Sequence, residues 1–266
     1  MNWSTLWTRI VDLFQGKAET ALDYALGICA FLIAVMAVVS LITSIILAIR
    51  YVKFNRRKNS ANITGFDAAR KILDDNGLKH IGVKVTGSFI FGNSYSHFFH
   101  KVRLRRFTQK KTSITSLAMG SQKACLAILD KEGDKDMKKR IILTPIVFFG
   151  PLAFVPLIAV GIVLDIVMHY TTPTWTIIFA CIGMAFFLCS FFLSLLTLKT
   201  EKKAQAKALE VLKKEKLATD EELKLMKDLF KLYNIEYVND IIISALELIY
   251  YALSIANASS TSSSRN

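Results

Sequence analysis

The chain has 266 residues, of which 53% are hydrophobic, and a formal net charge of +13. This composition is too apolar for an ordinary soluble domain of this length. Three stretches contain no charged residue, namely 25–49, 141–164 and 174–198. Each exceeds the roughly 20 residues that a helix needs to cross a bilayer, so we predict a mainly α-helical, multi-pass membrane protein and exclude a soluble enzyme.

Residues 1–20 precede the first charge-free stretch and predict a separate helix. The apolar residues Trp3, Leu6, Trp7 and Ile10 recur mostly at three- and four-residue steps, with the charged Arg9 among them. This periodicity is typical of an amphipathic helix at the membrane interface. The span 25–49 that follows is too long for the apolar core of a signal peptide, so we interpret it as a retained membrane anchor.

The basic excess lies in one segment between the first two spans. Residues 50–140 contain 21 Lys and Arg against 7 Asp and Glu. By the positive-inside rule this segment and residues 199–238 face the cytoplasm, and the N-terminus lies outside the cell membrane. The charge favours contact with anionic lipid headgroups over nucleic acid, because no nucleic-acid-binding motif accompanies it.

The basic segment predicts a small α/β domain. Residues 63–78 predict a helix, since Thr64 and Asp67 can form an N-terminal cap and Gly77 can end it. Three short strands are predicted at 81–85, 88–91 and 101–107, followed by a helix over 113–130. The last helix is unusually apolar, which predicts that it packs beneath the spans.

Beyond the third span, the sequence predicts charged helices within 199–238. An apolar segment at 239–257 follows, and it carries Glu247. Its length is compatible either with a short fourth span or with a helix that lies along the others. The Ser-rich residues 258–266 predict a disordered tail.

Several segments of this chain resemble the YugP-type bacterial membrane zinc metallopeptidases. ITGFDAARKILDDNGL at 63–78 is similar to the family's LTGAEVARRILDANGL, and KVRLR at 101–105 resembles its TVRLS strand. SITSLAMGSQKACLAIL at 113–129 falls where the family has SIAAVAVAAHEVGHAIQ, and LTLKTEKKAQAKAL at 196–209 resembles LTLPVEFDASRRAL. The resemblance covers roughly residues 51–256 and implies a membrane metallopeptidase architecture.

The zinc motif of that family is lost here. A zincin uses two His four residues apart as metal ligands and an intervening Glu as the general base. The corresponding run is Gln122, Lys123, Ala124, Cys125 and Leu126, so the resemblance implies a degenerate site at Gln122, Lys123, Leu126 and Glu201. Lys203 stands where the family has a second acidic residue, so the resemblance implies two ammonium groups at the site, which would repel a metal dication. We predict no catalytic residue, cofactor or metal there, and a contact of Lys123 or Gln122 with Glu201.

The sequence leaves three functions open. The first is a non-catalytic scaffold or binding subunit that acts with a protein partner or as a homo-oligomer, in membrane-protein assembly or quality control. The second is a divergent metallopeptidase whose zinc site has moved to His97, His100 and Glu201, because H-x-x-H is a possible ligand spacing. The third is a small membrane transport component.

Overall fold

The computed structural model describes residues 3–86, 92–148, 150–169 and 174–263. It is mainly helical, and the predicted fold class is confirmed. Within these residues, three helices are long and apolar enough to cross a membrane, beginning at Ala21, Thr174 and Asp220. A three-stranded sheet lies between the first and second of these helices.

The first two helices form a pair at the start of the chain. The predicted amphipathic helix is α1 (Trp3–Phe14), and the first span is α2 (Ala21–Arg56). Thr20 and Asp23 form a capping box that begins α2, and the Arg9 guanidinium lies 2.9 Å from the Asp23 carboxylate. The cap and the ion pair together fix α1 against the beginning of α2.

The basic segment contains the predicted helix and a small sheet, but the strand Ser94–Ser96 was not predicted and the predicted strand 101–107 ends at Arg105. Helix α3 (Gly65–Asp75) has the Thr64–Asp67 capping box. The strands are β1 (Gly82–Thr86), β2 (Ser94–Ser96) and β3 (Lys101–Arg105), in the order β1-β3-β2. Strand β1 pairs parallel with β3, and β2 pairs antiparallel with it. The strand predicted at 88–91 lies outside the described residues.

Helix α5 is the centre of the molecule. A short helix α4 (Arg106–Lys110) leads into α5 (Ile114–Lys131), in which every residue from Ile114 to Leu129 is buried. Helices α3 and α5 touch through two glycines: a Cβ placed on Gly120 would lie 2.3 Å from the carbonyl oxygen of Gly65. Only glycine permits this approach, so these two positions determine how closely α3 packs on α5.

The second predicted span corresponds to two helices, α6 (Lys135–Phe148) and α7 (Gly150–Val167). The carboxylate of Asp165 near the end of α7 accepts hydrogen bonds from the backbone amides of Trp175 and Thr176 at 2.8 and 2.9 Å. Asp165 thus satisfies amide groups that the first turn of the next helix leaves unpaired.

Two long helices complete the fold, and they correct the predicted boundaries. The third span and the charged helix after it form one helix, α8 (Thr174–Lys214). The separate C-terminal helices are one helix, α9 (Asp220–Ser263), which continues into the tail that was predicted to be disordered. Extending an existing helix adds one hydrogen bond for each residue fixed, whereas a new helix must first be nucleated. The residues between the predicted helices are therefore helical here, although their own helix propensity is weak.

Candidate functional site

The best candidate site lies where α5 packs on α8. The hydroxyl of Ser113 caps α5 by accepting a hydrogen bond from the Ser116 amide at 3.1 Å. Two turns further along, α5 carries Gln122 and Lys123, which are 3% and 6% exposed, and α8 carries Glu201, which is 1% exposed. Three polar side chains are therefore buried together between two helices.

Helix α5 supplies two hydrogen-bond donors to one oxygen of the buried carboxylate. Lys123 Nζ and Gln122 Nε2 each donate to Glu201 Oε2, both at 2.7 Å. The predicted contact between these side chains is confirmed. A buried ammonium and carboxylate at this distance form an ion pair that holds α5 to α8.

A second cation reaches the same carboxylate from α6. The Arg140 guanidinium lies 3.2 Å from Glu201 Oε1, and it donates to the Thr200 hydroxyl at 2.7 Å. Sequence reasoning missed this role, because Arg140 belongs to a basic run that was interpreted only as a topology signal. The spacing of the run gives no sign that one member turns inward.

Lys203 lies outside this cluster. The resemblance placed it where the family has a second acidic residue, and we expected its charge to act at the site. Instead, Lys203 Nζ binds the carboxylates of Asp134 and Asp136 at 2.5 and 2.8 Å. Its ion pairs link α8 to the beginning of α6, and the second cation beside Glu201 is Arg140.

Burial and the neighbouring carboxylate shift the pKa of Lys123 in opposite directions. Burial lowers the pKa of Lys123 below the ordinary lysine value, because the ammonium has lost its hydration, while the Glu201 carboxylate partly opposes that shift. With Lys123 protonated, two cations face one carboxylate. The cluster then carries an excess positive charge inside the protein.

The histidines of the alternative metal site lie elsewhere. His97 Nδ1 is 2.6 Å from the carboxylate of Asp130, which is eight residues beyond Gln122 and so about 12 Å along α5. The ring of His100 lies 5.9 Å from the ring of His97 and 5.9 Å from that of His80. Glu201 is not brought to these residues, so the predicted His97, His100 and Glu201 set does not assemble.

A cavity of about 150 Å³ opens beside the buried ion pair. Its wall combines residues from α2, β3, α5 and α9. They include Tyr51, Arg105, Gln122, Lys123, Tyr233 and Tyr237. Its described lining residues include no carboxylate. They include two basic side chains, and the others named here can donate hydrogen bonds.

The comparison with protein families gives a match over most of the chain. A family model described as a putative neutral zinc metallopeptidase matches residues 29–256. The chain belongs to this zinc metallopeptidase family. No curated protein and no solved structure matches it.

The side chains at the metallopeptidase motif do not fit a zinc ion. Zinc requires unprotonated nitrogen, sulfur or oxygen donors. Here Lys123 is an ammonium donor, Leu126 is a buried hydrocarbon, and both oxygens of Glu201 already accept hydrogen bonds. Burial raises the pKa of Cys125 to about 12, which keeps this neighbour a neutral thiol.

The same conclusion holds beyond the motif. Across the described parts of the chain, no three His, Cys, Asp or Glu side chains form a group that can hold a metal ion. The side chains at the motif therefore do not supply the ligands and the general base on which the family's zinc chemistry depends.

Proposed function

We propose that this protein is a non-catalytic member of the zinc metallopeptidase family that acts in the membrane as a binding or scaffold subunit. The observation that carries the proposal is the ion pair of Lys123 with Glu201 at 2.7 Å, in a helix pair where the family has its zinc motif. An ammonium group bound to that carboxylate repels a metal dication and cannot act as the general base of peptide hydrolysis.

A scaffold role is also compatible with the architecture that the chain shares with its family. Helices α5 and α8 and the sheet surround the site, and a chain with this architecture can bind a protein without hydrolysing it. We propose a partner in membrane-protein assembly or quality control, or a second copy of this chain. The basic segment then contacts anionic lipid headgroups.

We expect the protein purified in detergent to contain no stoichiometric zinc and to cleave no unfolded protein substrate. Zinc is measured by elemental analysis of the protein before and after equilibration with the metal. Stoichiometric zinc that disappears on His97→Ala, together with proteolysis, would instead establish the relocated metallopeptidase site.

The partner is sought by mild extraction of the full chain. A protein retained in a fixed ratio supports the scaffold role, whereas a clean monomer argues against it.

The proposed orientation places residues 50–140 and 199–238 in the cytoplasm and the N-terminus outside the cell membrane. In a background lacking the four native cysteines, we expect an impermeant thiol reagent to label Thr172→Cys on intact cells. Lys58→Cys is expected to react only after permeabilisation. The reverse pattern would invert the topology and remove the cytoplasmic location of the site.

A further inference from the structure

The cavity beside Glu201 has the chemistry of an anion site. Its lining includes Arg105, Lys123, Gln122, Tyr51 and Tyr233, whose side chains end in a guanidinium, an ammonium, an amide and two phenols. Such groups donate hydrogen bonds or carry positive charge, and they converge on one semi-enclosed space. Phosphate oxygens are acceptors that match this set, and arginine binds them in a bidentate manner.

The charge balance around the cavity also favours an anion. Glu201 offers one negative charge to Lys123 and Arg140 together. Arg105 adds a further positive charge, and within the described residues its side chain has no ion pair or hydrogen bond. The nearby Glu236 carboxylate accepts a hydrogen bond from Ser44 at 2.7 Å, and within the described residues it forms no ion pair with Arg105. The cavity therefore concentrates a positive charge that the described protein groups leave uncompensated.

The depth of the cavity indicates the source of the anion. Tyr51 follows the end of the first charge-free stretch by two residues, and Glu201 follows the end of the third by three. Both ends mark the boundary of the hydrocarbon core, so the cavity lies at the level of the lipid headgroups. Basic pockets between helices at this level are suited to lipid phosphates.

We propose that this cavity binds the phosphate of an anionic phospholipid headgroup. Arg105 pairs directly with the phosphate, and the phenols of Tyr51 and Tyr233 donate hydrogen bonds to it. The buried Lys123 ammonium attracts the phosphate electrostatically without contacting it. This site does not depend on the proposed scaffold role, since it requires only the charges and donors of the cavity.

The test uses the full chain in detergent, with short-chain phosphatidylglycerol as the probe and native mass spectrometry as the readout. We expect Arg105→Gln to weaken binding at least about tenfold, because one charged phosphate contact is lost. The matched control is Arg103→Gln, which removes the same charge from the same strand. Arg103 lies over the ring of Phe99, 5.3 Å from its centroid, and outside the cavity lining. The control is expected to bind like the wild type.

Other probes distinguish the sources of the anion. Inorganic phosphate that displaces the lipid at equal concentration would assign the site to free phosphate and overturn the lipid proposal. Equal binding of a short-chain diacylglycerol, which has no phosphate, would show that the acyl chains alone are recognised. Unchanged binding by Arg105→Gln, or an equal loss in both arginine variants, would also contradict the site. Arg105 is exposed, so thermal unfolding of its variant should match that of the wild type.

Discussion

A chain that carries Gln122→His, Lys123→Glu and Leu126→His is expected to bind one zinc ion, whereas the wild type is expected to bind none. Gln122 already lies within 2.7 Å of Glu201, so the first introduced imidazole begins beside the remaining carboxylate. Position 126 lies one helical turn further along the same face of α5. Replacing Lys123 removes the ammonium that now binds Glu201 Oε2, and this oxygen becomes available to a metal.

Zinc content is measured by elemental analysis after exhaustive dialysis, alongside the thermal stability of each variant. The matched control adds Glu201→Gln to the same three substitutions, and its affinity for zinc is expected to fall by about 10- to 100-fold or more, because an anionic ligand is replaced by an amide. A triple variant that folds but binds no zinc would show that α5 and α8 do not hold the family's metal geometry. Glu201 would then be a structural residue only.

Glu201→Leu is expected to destabilise the protein by about 3 to 5 kcal/mol, the cost of removing one partner from a buried ion pair. Lys123 and Arg140 would be left as cations without their carboxylate, in a site where Glu201 itself is 1% exposed. Thermal unfolding in detergent measures the loss. Glu210→Leu is the matched control, because Glu210 is an exposed residue of the same helix and its substitution should change stability by less than about 0.5 kcal/mol.

A second substitution and a pH series identify charge as the cause. Adding Lys123→Met to Glu201→Leu removes one of the unpaired cations and should restore part of the stability. Burial lowers the pKa of Lys123 in the folded protein, and the loss of Glu201 removes the attraction that opposes this shift. The unfolded chain then binds more protons at this site, so the deficit of Glu201→Leu should shrink as the pH rises toward the ordinary lysine pKa of about 10.4. A deficit independent of pH would indicate lost packing instead.

The elements with strong local signals could be predicted from the sequence. The cap formed by Thr64 and Asp67 marks the start of α3 within a residue or two, and the structure has both of its hydrogen bonds. The contact of Lys123 with Glu201 was also predictable, because the family's architecture brings α5 to α8. In each case the signal lies in residues whose chemistry allows few alternatives.

The parts that could not be predicted depend on tertiary packing. Arg140 belongs to a run of basic residues, and only the packing of α6 on α8 turns it toward Glu201. Lys203 was expected at the site, but Asp134 and Asp136 bind it elsewhere. The continuity of α9 between its two predicted parts is another example, since residues 233–240 carry no strong helix signal of their own.

One hydrophobic cluster joins parts of the chain that the topology would assign to different compartments. It contains Leu47 and Phe54 from α2, Leu117 from α5, and Met226 and Leu229 from α9. Leu47 belongs to the charge-free stretch of α2, a helix long and apolar enough to cross a bilayer, so this helix supplies core residues to the segment that follows it. A fragment cut at the predicted border, residues 50–140, would expose the apolar faces that α2 and α9 now cover. We therefore expect the basic segment not to fold on its own, because its core includes residues of the neighbouring helices.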